Sequence, residues 1–132
     1  MIQYHEQELL KRAQDIMQRA YSPYSSFKVG AALLSKTGKI YVGCNFESAA
    51  FGAGVCAERI ALGSAIVNNE NEFVAIAVCG NNSPTYPCGI CRQALLEFGD
   101  IDVICSNSDL TIVKTYKLSE LLPYSFLKIV KK

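Results

Sequence analysis

Three cysteines and one glutamate stand in two short stretches whose spacing predicts a catalytic metal site. Cys56 is followed two positions later by Glu58, and Cys88 and Cys91 form a Cys-x-x-Cys pair within the sequence Pro-Cys-Gly-Ile-Cys-Arg. Three thiolates on a tetrahedral zinc ion leave one coordination position open, which is typical of catalytic sites rather than structural ones. Glu58 could take a proton from a water activated by the metal and return it to a substrate. These residues therefore predict a zinc-dependent hydrolase.

Two arginines directly follow the motif elements and bear on the charge of the predicted site. Three thiolates on Zn²⁺ carry a net charge of about −1, and strong thiolate donation weakens the metal as a Lewis acid. Arg59 and Arg92 could offset that charge through hydrogen bonds to sulfur, as residues behind metal ligands commonly do. The alternative for each arginine is an ordinary position facing solvent.

Two other interpretations of the cysteines remain open at this point. A structural zinc site would need a fourth ligand, either His5 or a cysteine from elsewhere in the chain. A thioredoxin-like dithiol would account for Cys88 and Cys91 but not for Cys56 and Glu58. Glu58 taken alone would be an exposed acid near a helix amino terminus, where the helix dipole favours negative charge.

The composition of the chain favours a small-molecule partner over nucleic acid or a membrane. The 132 residues include 13 basic and 12 acidic ones, for a formal net charge of +1, and the basic residues form no long run. The amino terminus is polar and unlike a secretory signal, and no apolar stretch approaches the roughly 20 residues that span a bilayer. We therefore expect a cytoplasmic protein whose six cysteines stay reduced.

Apolar periodicity predicts one α/β domain over residues 1–132, with the element order α-β-β-α-β-α-β-β. Such alternation favours a three-layer α/β/α fold, in which helices cover a mixed five-stranded sheet. Ser119 is expected to cap a short turn that Pro123 interrupts. The predicted helices are 5–21, 56–68 and 89–98, and the predicted strands are 27–34, 40–44, 73–79, 103–105 and 111–116.

This layout places the proposed ligands at helix amino termini. Cys56 and Cys88 fall at predicted helix starts and Cys91 in a first turn, where the positive end of the helix dipole stabilises thiolates. In the second helix the predicted buried face includes Ile60 and Ile66. The third helix is expected to bury Leu95 and Phe98. The remaining cysteines, which are expected to be small buried side chains of strands, are Cys44, Cys79 and Cys105.

The chain also resembles the short, three-cysteine, homotetrameric cytidine deaminases. Zinc deaminases share a signature in which the first metal ligand is followed by one residue and then Glu, and farther along the chain by Pro-Cys-x-x-Cys. The resemblance extends to Ser-Pro-Tyr-Ser-Ser-Phe-Lys-Val-Gly-Ala-Ala-Leu-Leu at 22–34, to Gly-Cys-Asn-Phe-Glu at 43–47 and to Glu-Leu-Leu-Pro-Tyr-Ser-Phe at 120–126. It thus covers nearly the whole chain in order.

The resemblance implies a role for several residues outside the zinc motifs. Phe27 would stack on a pyrimidine ring, Asn45 and Glu47 would hydrogen-bond the ribose, and Phe126 would reach the base from a neighbouring subunit. It also implies one Zn²⁺ per subunit, a homotetramer, and hydrolysis of cytidine and deoxycytidine to uridine and deoxyuridine in pyrimidine salvage. Alternatives are deamination of a related cytosine nucleoside such as an aminonucleoside antibiotic, or a non-catalytic module with structural zinc.

One segment departs from the family pattern. The chain reads Glu-Ser-Ala-Ala-Phe-Gly over residues 47–52, where the family often has Glu-Asn-Ala-Ser-Tyr-Gly. Phe51 lacks the hydroxyl that a tyrosine would offer to the sugar, and Ser48 is shorter than asparagine. We expect the family reaction to survive, with altered sugar affinity.

Overall fold

The computed structural model describes residues 4–126, which fold into one mixed sheet with helices on both faces. Its helices are α1 (Glu6–Met17), α2 (Ala57–Val67), α3 (Gly89–Leu96) and α4 (Leu118–Leu121), with a 3₁₀ turn at Phe51–Ala53. Its strands are β1 (Val29–Ser35), β2 (Ile40–Cys44), β3 (Phe73–Gly80), β4 (Asp102–Ser106) and β5 (Val113–Lys117). The predicted element order and the three-layer α/β/α fold are confirmed.

The sheet has the strand order β2-β1-β3-β4-β5. Strands β3 and β4 are parallel, and every other neighbouring pair is antiparallel. Because α2 leads into β3 and α3 leads into β4, each through a short connection, the two helices run in the same direction. Their amino termini therefore lie at the same edge of the sheet, beyond the carboxyl ends of the parallel strands, where open α/β sheets bind ligands.

Alternating side chains of the central strands supply two cores, one on each face of the sheet. In β1, Leu33 packs with α2 and α3, whereas Leu34 packs with α1. In β3, Ile76 and Val78 face α2 and α3, and Ala77 faces α1. This two-residue period explains why β1 and β3 read as continuous apolar runs, since both faces are covered.

Two glycines allow helices to lie unusually close to the strands, one on each face of the sheet. A Cβ at Gly30 would stand 1.9 Å from the carbonyl oxygen of Ala13 in α1. A Cβ at Gly43 would stand 2.4 Å from the carbonyl oxygen of Ala57 in α2. Gly43 thus fixes how closely the first turn of α2 approaches β2.

Strand β1 begins at Val29 rather than residue 27, and α3 ends at Leu96 rather than residue 98. Three further predictions of local structure were wrong where specific hydrogen bonds redirect the chain. The first helix ends at Met17 rather than near residue 21, because the N–H of Tyr21 pairs with the carbonyl of Asn45. Strand β5 begins at Val113 rather than residue 111, because Asp109 accepts two hydrogen bonds from Thr111 in a turn. Ser119 lies inside α4 and bonds Asp100 instead of capping a turn.

The burial of four residues expected in the core also differs from expectation, and two of them, Ile60 and Cys44, are half-buried. In α2 the buried face is formed by Ala57, Ala61 and Ala65 with Leu62, so Ile66 faces outward and is 48% exposed. Phe98 lies just beyond α3 and is only half-buried, with its ring edge-on to Phe73. Leu95 is buried as predicted.

Candidate metal centre and adjoining cleft

The three proposed metal ligands come together at the amino termini of α2 and α3. Cys56 and Cys88 are the residues that immediately precede the two helices, and Cys91 is the third residue of α3. The Sγ atoms of Cys56 and Cys88 are 3.7 Å apart, and those of Cys88 and Cys91 are 3.5 Å apart. All three sulfurs lie within 4.8 Å of one another.

These distances fit a tetrahedral zinc ion. Zinc–sulfur bonds of about 2.3 Å at tetrahedral angles hold sulfurs about 3.8 Å apart. The soft thiolate donor set suits zinc, and the two helix amino termini favour the negative charge of the sulfurs. His5 precedes α1, far along the chain from this cluster, and does not belong to the group of candidate ligands. The described cluster therefore offers three ligands, as a site with one open position requires.

The pKa values of two of the thiols, Cys56 and Cys91, are shifted in opposite directions. The pKa of Cys56 falls to about 5, because Cys91 donates a hydrogen bond to its sulfur and the Arg59 guanidinium lies beside it. The pKa of Cys91 is raised by the same hydrogen bond and by burial. These surroundings favour thiolate charge at Cys56, and a dication bound by the sulfurs would displace thiol protons.

Glu58 is buried at the start of α2, beside the cysteines. Its side chain is 3% exposed, and burial raises its pKa to about 7, with the nearby Cys56 thiolate contributing in the same direction. A dication held by the sulfurs would lower that pKa, so burial and metal act in opposite directions on Glu58. A carboxyl whose pKa is adjusted in this way near neutrality is suited to carrying a proton in both directions.

The two arginines differ in their contacts. Arg59 places Nη2 3.7 Å from the Sγ of Cys56, and hydrogen bonds to Cys56 and Cys91 raise the pKa of its guanidinium. Arg92 instead donates from Nε to the carbonyl of Pro87 at 2.7 Å and from Nη1 to the carbonyl of Leu121 at 2.6 Å. Arg59 thus contacts sulfur as predicted, whereas these contacts of Arg92 hold backbone on either side of α3.

A cleft of about 340 Å³ opens beside Cys56. It brings three predicted site residues together, namely Asn45, Glu47 and Cys56. Ser48 and Phe51, which mark the departure from the family pattern, also line it. The remaining lining residues, which sequence reasoning did not single out for a role, are Tyr24, Phe46, Gly54 and Val55.

Residues 21–29, which we call the strap, are bound to residues 45–47 by a dense set of hydrogen bonds. The amide of Asn45 accepts the Val29 N–H and donates to the Phe27 carbonyl, each at 2.8 Å. The Glu47 carboxylate accepts the N–H groups of Tyr24 and Ser25 at 3.0 and 3.1 Å. Asn45 and Glu47 therefore position the strap, and Phe27 lies on it.

Phe126 is remote from this cleft within the chain. It lines a separate apolar groove of about 710 Å³ together with residues of α2 and α3 such as Leu62 and Ile90, and its side chain is 85% exposed. Gln93 holds its backbone through a reciprocal pair of hydrogen bonds at 3.1 and 3.3 Å. The prediction that Phe126 serves a neighbouring subunit's site remains a prediction.

Comparison with known proteins gives a consistent result. The family model for the cytidine and deoxycytidylate deaminase zinc-binding region matches residues 3–107. A cytidine deaminase of Halalkalibacterium halodurans is 43% identical over 123 residues, covering 91% of this chain and 92% of the relative. The crystal structure of cytidine deaminase from Burkholderia pseudomallei superposes with a TM-score of 0.88 at 41% identity, covering 93% of this chain and all of that one.

A more distant relative catalyses a different deamination. Blasticidin-S deaminase of Bacillus cereus is 31% identical over 107 residues, covering 74% of this chain and 76% of the relative. The cysteine cluster, the buried glutamate and the cleft thus occur in a chain similar to several deaminases.

Proposed function

This chain belongs to the cytidine and deoxycytidylate deaminase family, and from that membership we propose that it hydrolyses cytidine and deoxycytidine to the corresponding uridines with release of ammonia. The observation that carries the proposal is the meeting of three sulfurs at zinc-binding distances with the buried Glu58. A structural zinc site or a plain dithiol gives no role to Glu58 at this position.

The residues of the chain divide the reaction between them. Cys56, Cys88 and Cys91 would hold zinc, which when bound supplies the Lewis acidity that makes water a nucleophile near neutral pH. The Glu58 carboxylate accepts a proton from the attacking water and delivers it to the ring nitrogen next to the reacting C4 carbon. Glu58 then takes the second water proton to the exocyclic amine, which leaves C4 as ammonia. Arg59 offsets part of the thiolate charge through its contact with Cys56.

The cleft favours a nucleoside over a nucleotide. Among the described residues that line the cleft, Glu47 is the one acidic residue and none is Lys or Arg. A Cys56 thiolate would add further negative charge. A phosphate would meet a carboxylate there without a compensating cation. Asn45 and Glu47 suit a sugar diol instead, and the exposed ring of Phe27 on the strap suits a flat base. The partner is therefore a small pyrimidine nucleoside.

We further propose a homotetramer with one zinc per subunit, located in the cytoplasm. Large apolar side chains lie exposed at the cleft and the apolar groove, including Phe51, Ile90 and Phe126, which is typical of surfaces that subunits cover. The six cysteines are all free thiols, which favours a reducing compartment. No helix among residues 4–126 is long and apolar enough to cross a membrane. Sedimentation equilibrium would test the tetramer, and metal analysis the stoichiometry.

The deciding experiment is an ultraviolet assay of the purified, zinc-loaded protein on cytidine. We expect loss of the cytidine absorbance band with release of one ammonia per uridine, abolished by prolonged chelation and restored by zinc. Deamination of blasticidin S without deamination of cytidine would replace the proposed substrate by an aminonucleoside antibiotic. Bound zinc with no reaction on any cytosine nucleoside would contradict the proposal.

A further inference from the structure

The hydroxyl of Ser25 joins two parts of the candidate site that are distant in sequence. Its Oγ donates a hydrogen bond to Oε2 of Glu47 and accepts one from the Phe27 N–H at 3.0 Å. One side chain thus contacts both the carboxylate on the sugar side of the cleft and the backbone of the residue proposed to hold the base.

The carboxylate of Glu47 has little accepting capacity left. A carboxylate offers about four lone-pair positions. The N–H groups of Tyr24 and Ser25 occupy Oε1, and Ser25 Oγ occupies one position of Oε2. About one position therefore remains, on the oxygen that Ser25 holds, and the hydroxyl of Ser25 determines its direction.

Glu47 stays ionised in this arrangement. The hydrogen bond from the Ser25 side chain lowers the pKa of Glu47, and the backbone N–H groups of Ser25 and Tyr24 add to the effect against a smaller opposing contribution from burial. An ionised carboxylate accepts hydrogen bonds but cannot donate them. Its remaining position therefore selects a ligand that donates, such as a sugar hydroxyl.

The strap is held in a conformation that it would not adopt by itself. Ser26 has a φ of 58°, a left-handed backbone conformation that non-glycine residues rarely adopt. The Ser26 N–H closes the turn onto the Ser22 carbonyl at 3.0 Å. The contacts of Glu47 with Tyr24 and Ser25 lie directly before this strained residue, so they help to maintain the turn that leads to Phe27.

We propose that Ser25 is a positioning residue for the sugar: it holds Oε2 of Glu47 so that the remaining acceptor position meets a ring hydroxyl of the bound nucleoside. The inference rests on the proposed function and adds a residue that works through Glu47 without reacting. Because Ser25 acts before the chemical step, its loss affects binding of substrates that carry the hydroxyl and leaves the reaction of the bound substrate intact.

The test compares Ser25→Ala with the native enzyme on two substrates, cytidine and 2′,3′-dideoxycytidine, the second of which lacks both ring hydroxyls. We expect the KM for cytidine to rise about tenfold, as for the loss of one hydrogen bond to a charged group, with kcat within about threefold. The KM for dideoxycytidine should change less than about threefold. Equal KM changes for both substrates, or a fall in kcat at unchanged KM, would overturn the proposal.

Two further variants separate the hydroxyl from general damage to the strap. Ser25→Thr keeps a hydroxyl and should keep a KM for cytidine near the native value, whereas a rise as large as in Ser25→Ala would count against the hydroxyl. In a Glu47→Gln background, Ser25→Ala should cost much less than in the native chain. Ser64→Ala removes a hydroxyl from an exposed position of α2 and serves as the matched control.

Equilibrium binding of uridine and 2′,3′-dideoxyuridine, measured by calorimetry, keeps this inference distinct from the proposed function. If the native protein binds uridine but deaminates no nucleoside, the proposed function fails. The role of Ser25 is still supported in that case if Ser25→Ala weakens the binding of uridine but not that of 2′,3′-dideoxyuridine. If deamination proceeds but Ser25→Ala weakens both ligands equally, the proposed function stands and the role of Ser25 is refuted.

Discussion

The candidate site has two ends, the cysteine cluster with the adjacent Glu58 (the cysteine end) and residues 21–29 with Asn45 and Glu47 (the strap end), and the pKa values of their glutamates shift in opposite directions. At the cysteine end Glu58 is buried at a helix start, and burial raises its pKa to about 7. At the strap end Glu47 receives hydrogen bonds from Ser25 and Tyr24, and its pKa is lowered. The first carboxyl can gain and lose a proton near neutral pH, whereas the second stays an acceptor.

The supporting structure differs in the same way. The cysteine end is built on the first turns of α2 and α3, which pack on the sheet. The strap end is built on irregular backbone that is fixed mainly by hydrogen bonds from Asn45 and Glu47. The residues proposed to bind metal and carry protons thus lie on helices, and the residues proposed to bind the substrate lie on loops. A rigid scaffold with variable loops permits this division.

The largest expected effect comes from the cysteine end, in Glu58→Gln. Because the amide cannot carry a proton, kcat should fall by about 10²–10⁴-fold or more, while zinc content and uridine affinity stay near native values. Steady-state kinetics and metal analysis would check this. Glu72→Gln, an exposed acid paired with Lys36, is the control. Substantial turnover in Glu58→Gln would remove the distinction between the two glutamates.

A second substitution tests whether the cysteine end depends on close packing. In Gly43→Ala the new Cβ would meet the backbone of Ala57 and Ala61, so we expect a loss of about 1–3 kcal/mol in the free energy of unfolding. Zinc affinity should fall with it, because the start of α2 carries Cys56. Urea unfolding and a competitive zinc titration measure the two effects.

The matched control is Gly63→Ala, in the helix that packs against Gly43. A Cβ at Gly63 of α2 meets nothing within 4 Å, and Gly63→Ala should stabilise the protein by about 0.5–1 kcal/mol because alanine favours helix. If both substitutions had the same effect, close packing of α2 on β2 would not be what holds Cys56 in place.

The strap end should respond to acid through Glu47. Because its pKa is lower in the folded chain than in the unfolded one, its ionised form contributes stability above the unfolded value of about 4.3, and this contribution is lost as the pH falls through the folded value. We expect Glu47→Gln to lose less stability than the native protein between pH 6 and pH 3. Urea midpoints across that range give the comparison, and parallel curves would contradict the assignment.

The smallest effect is expected at the rim of the cleft. Phe51 lines it but is 88% exposed, so a hydroxyl added there would exchange one hydrogen bond with water for another with the sugar. Phe51→Tyr should therefore change the KM for cytidine by less than about threefold at constant kcat, a smaller effect than the departure of Phe51 from the family pattern led us to expect. A tenfold lower KM would show that the rim contributes as much to sugar binding as the strap.

The sequence predicted that Cys56, Cys88 and Cys91 would lie together, because each lies at a helix start that apolar periodicity identifies. The strap end was predicted less well. Asn45 and Glu47 were assigned only through resemblance to a family, and Ser25 was given no role, although it lies within the stretch 22–34 that carries the resemblance. Its role depends on a hydrogen bond across 22 residues of sequence, and no local pattern encodes such a contact.

The errors in the fold have the same physical origin. The first helix was expected to continue to residue 21, but it ends at Met17, residues 18–20 form tighter turn hydrogen bonds, and Tyr21 then pairs with Asn45. Ile66 was placed on the buried face of α2, although the small side chains of Ala57, Ala61 and Ala65 define the side that packs closely on the sheet. Periodicity locates a helix, but its neighbours decide which residues it exposes.

The parallel course of α2 and α3 has a consequence for how this protein can be altered. Since both helix starts are anchored by the sheet, Cys88 and Cys91 do not rely on residues 21–29 or 45–52 for their positions, whereas the chain just before Cys56 also pairs with Phe46 through Val55. Segments of different length and chemistry could therefore replace residues 21–28 and 47–52, redirecting the enzyme to another amino-substituted heterocycle, provided that the pairing of Phe46 with Val55 is kept. We expect libraries confined to these two segments to yield folded, zinc-binding proteins at high frequency.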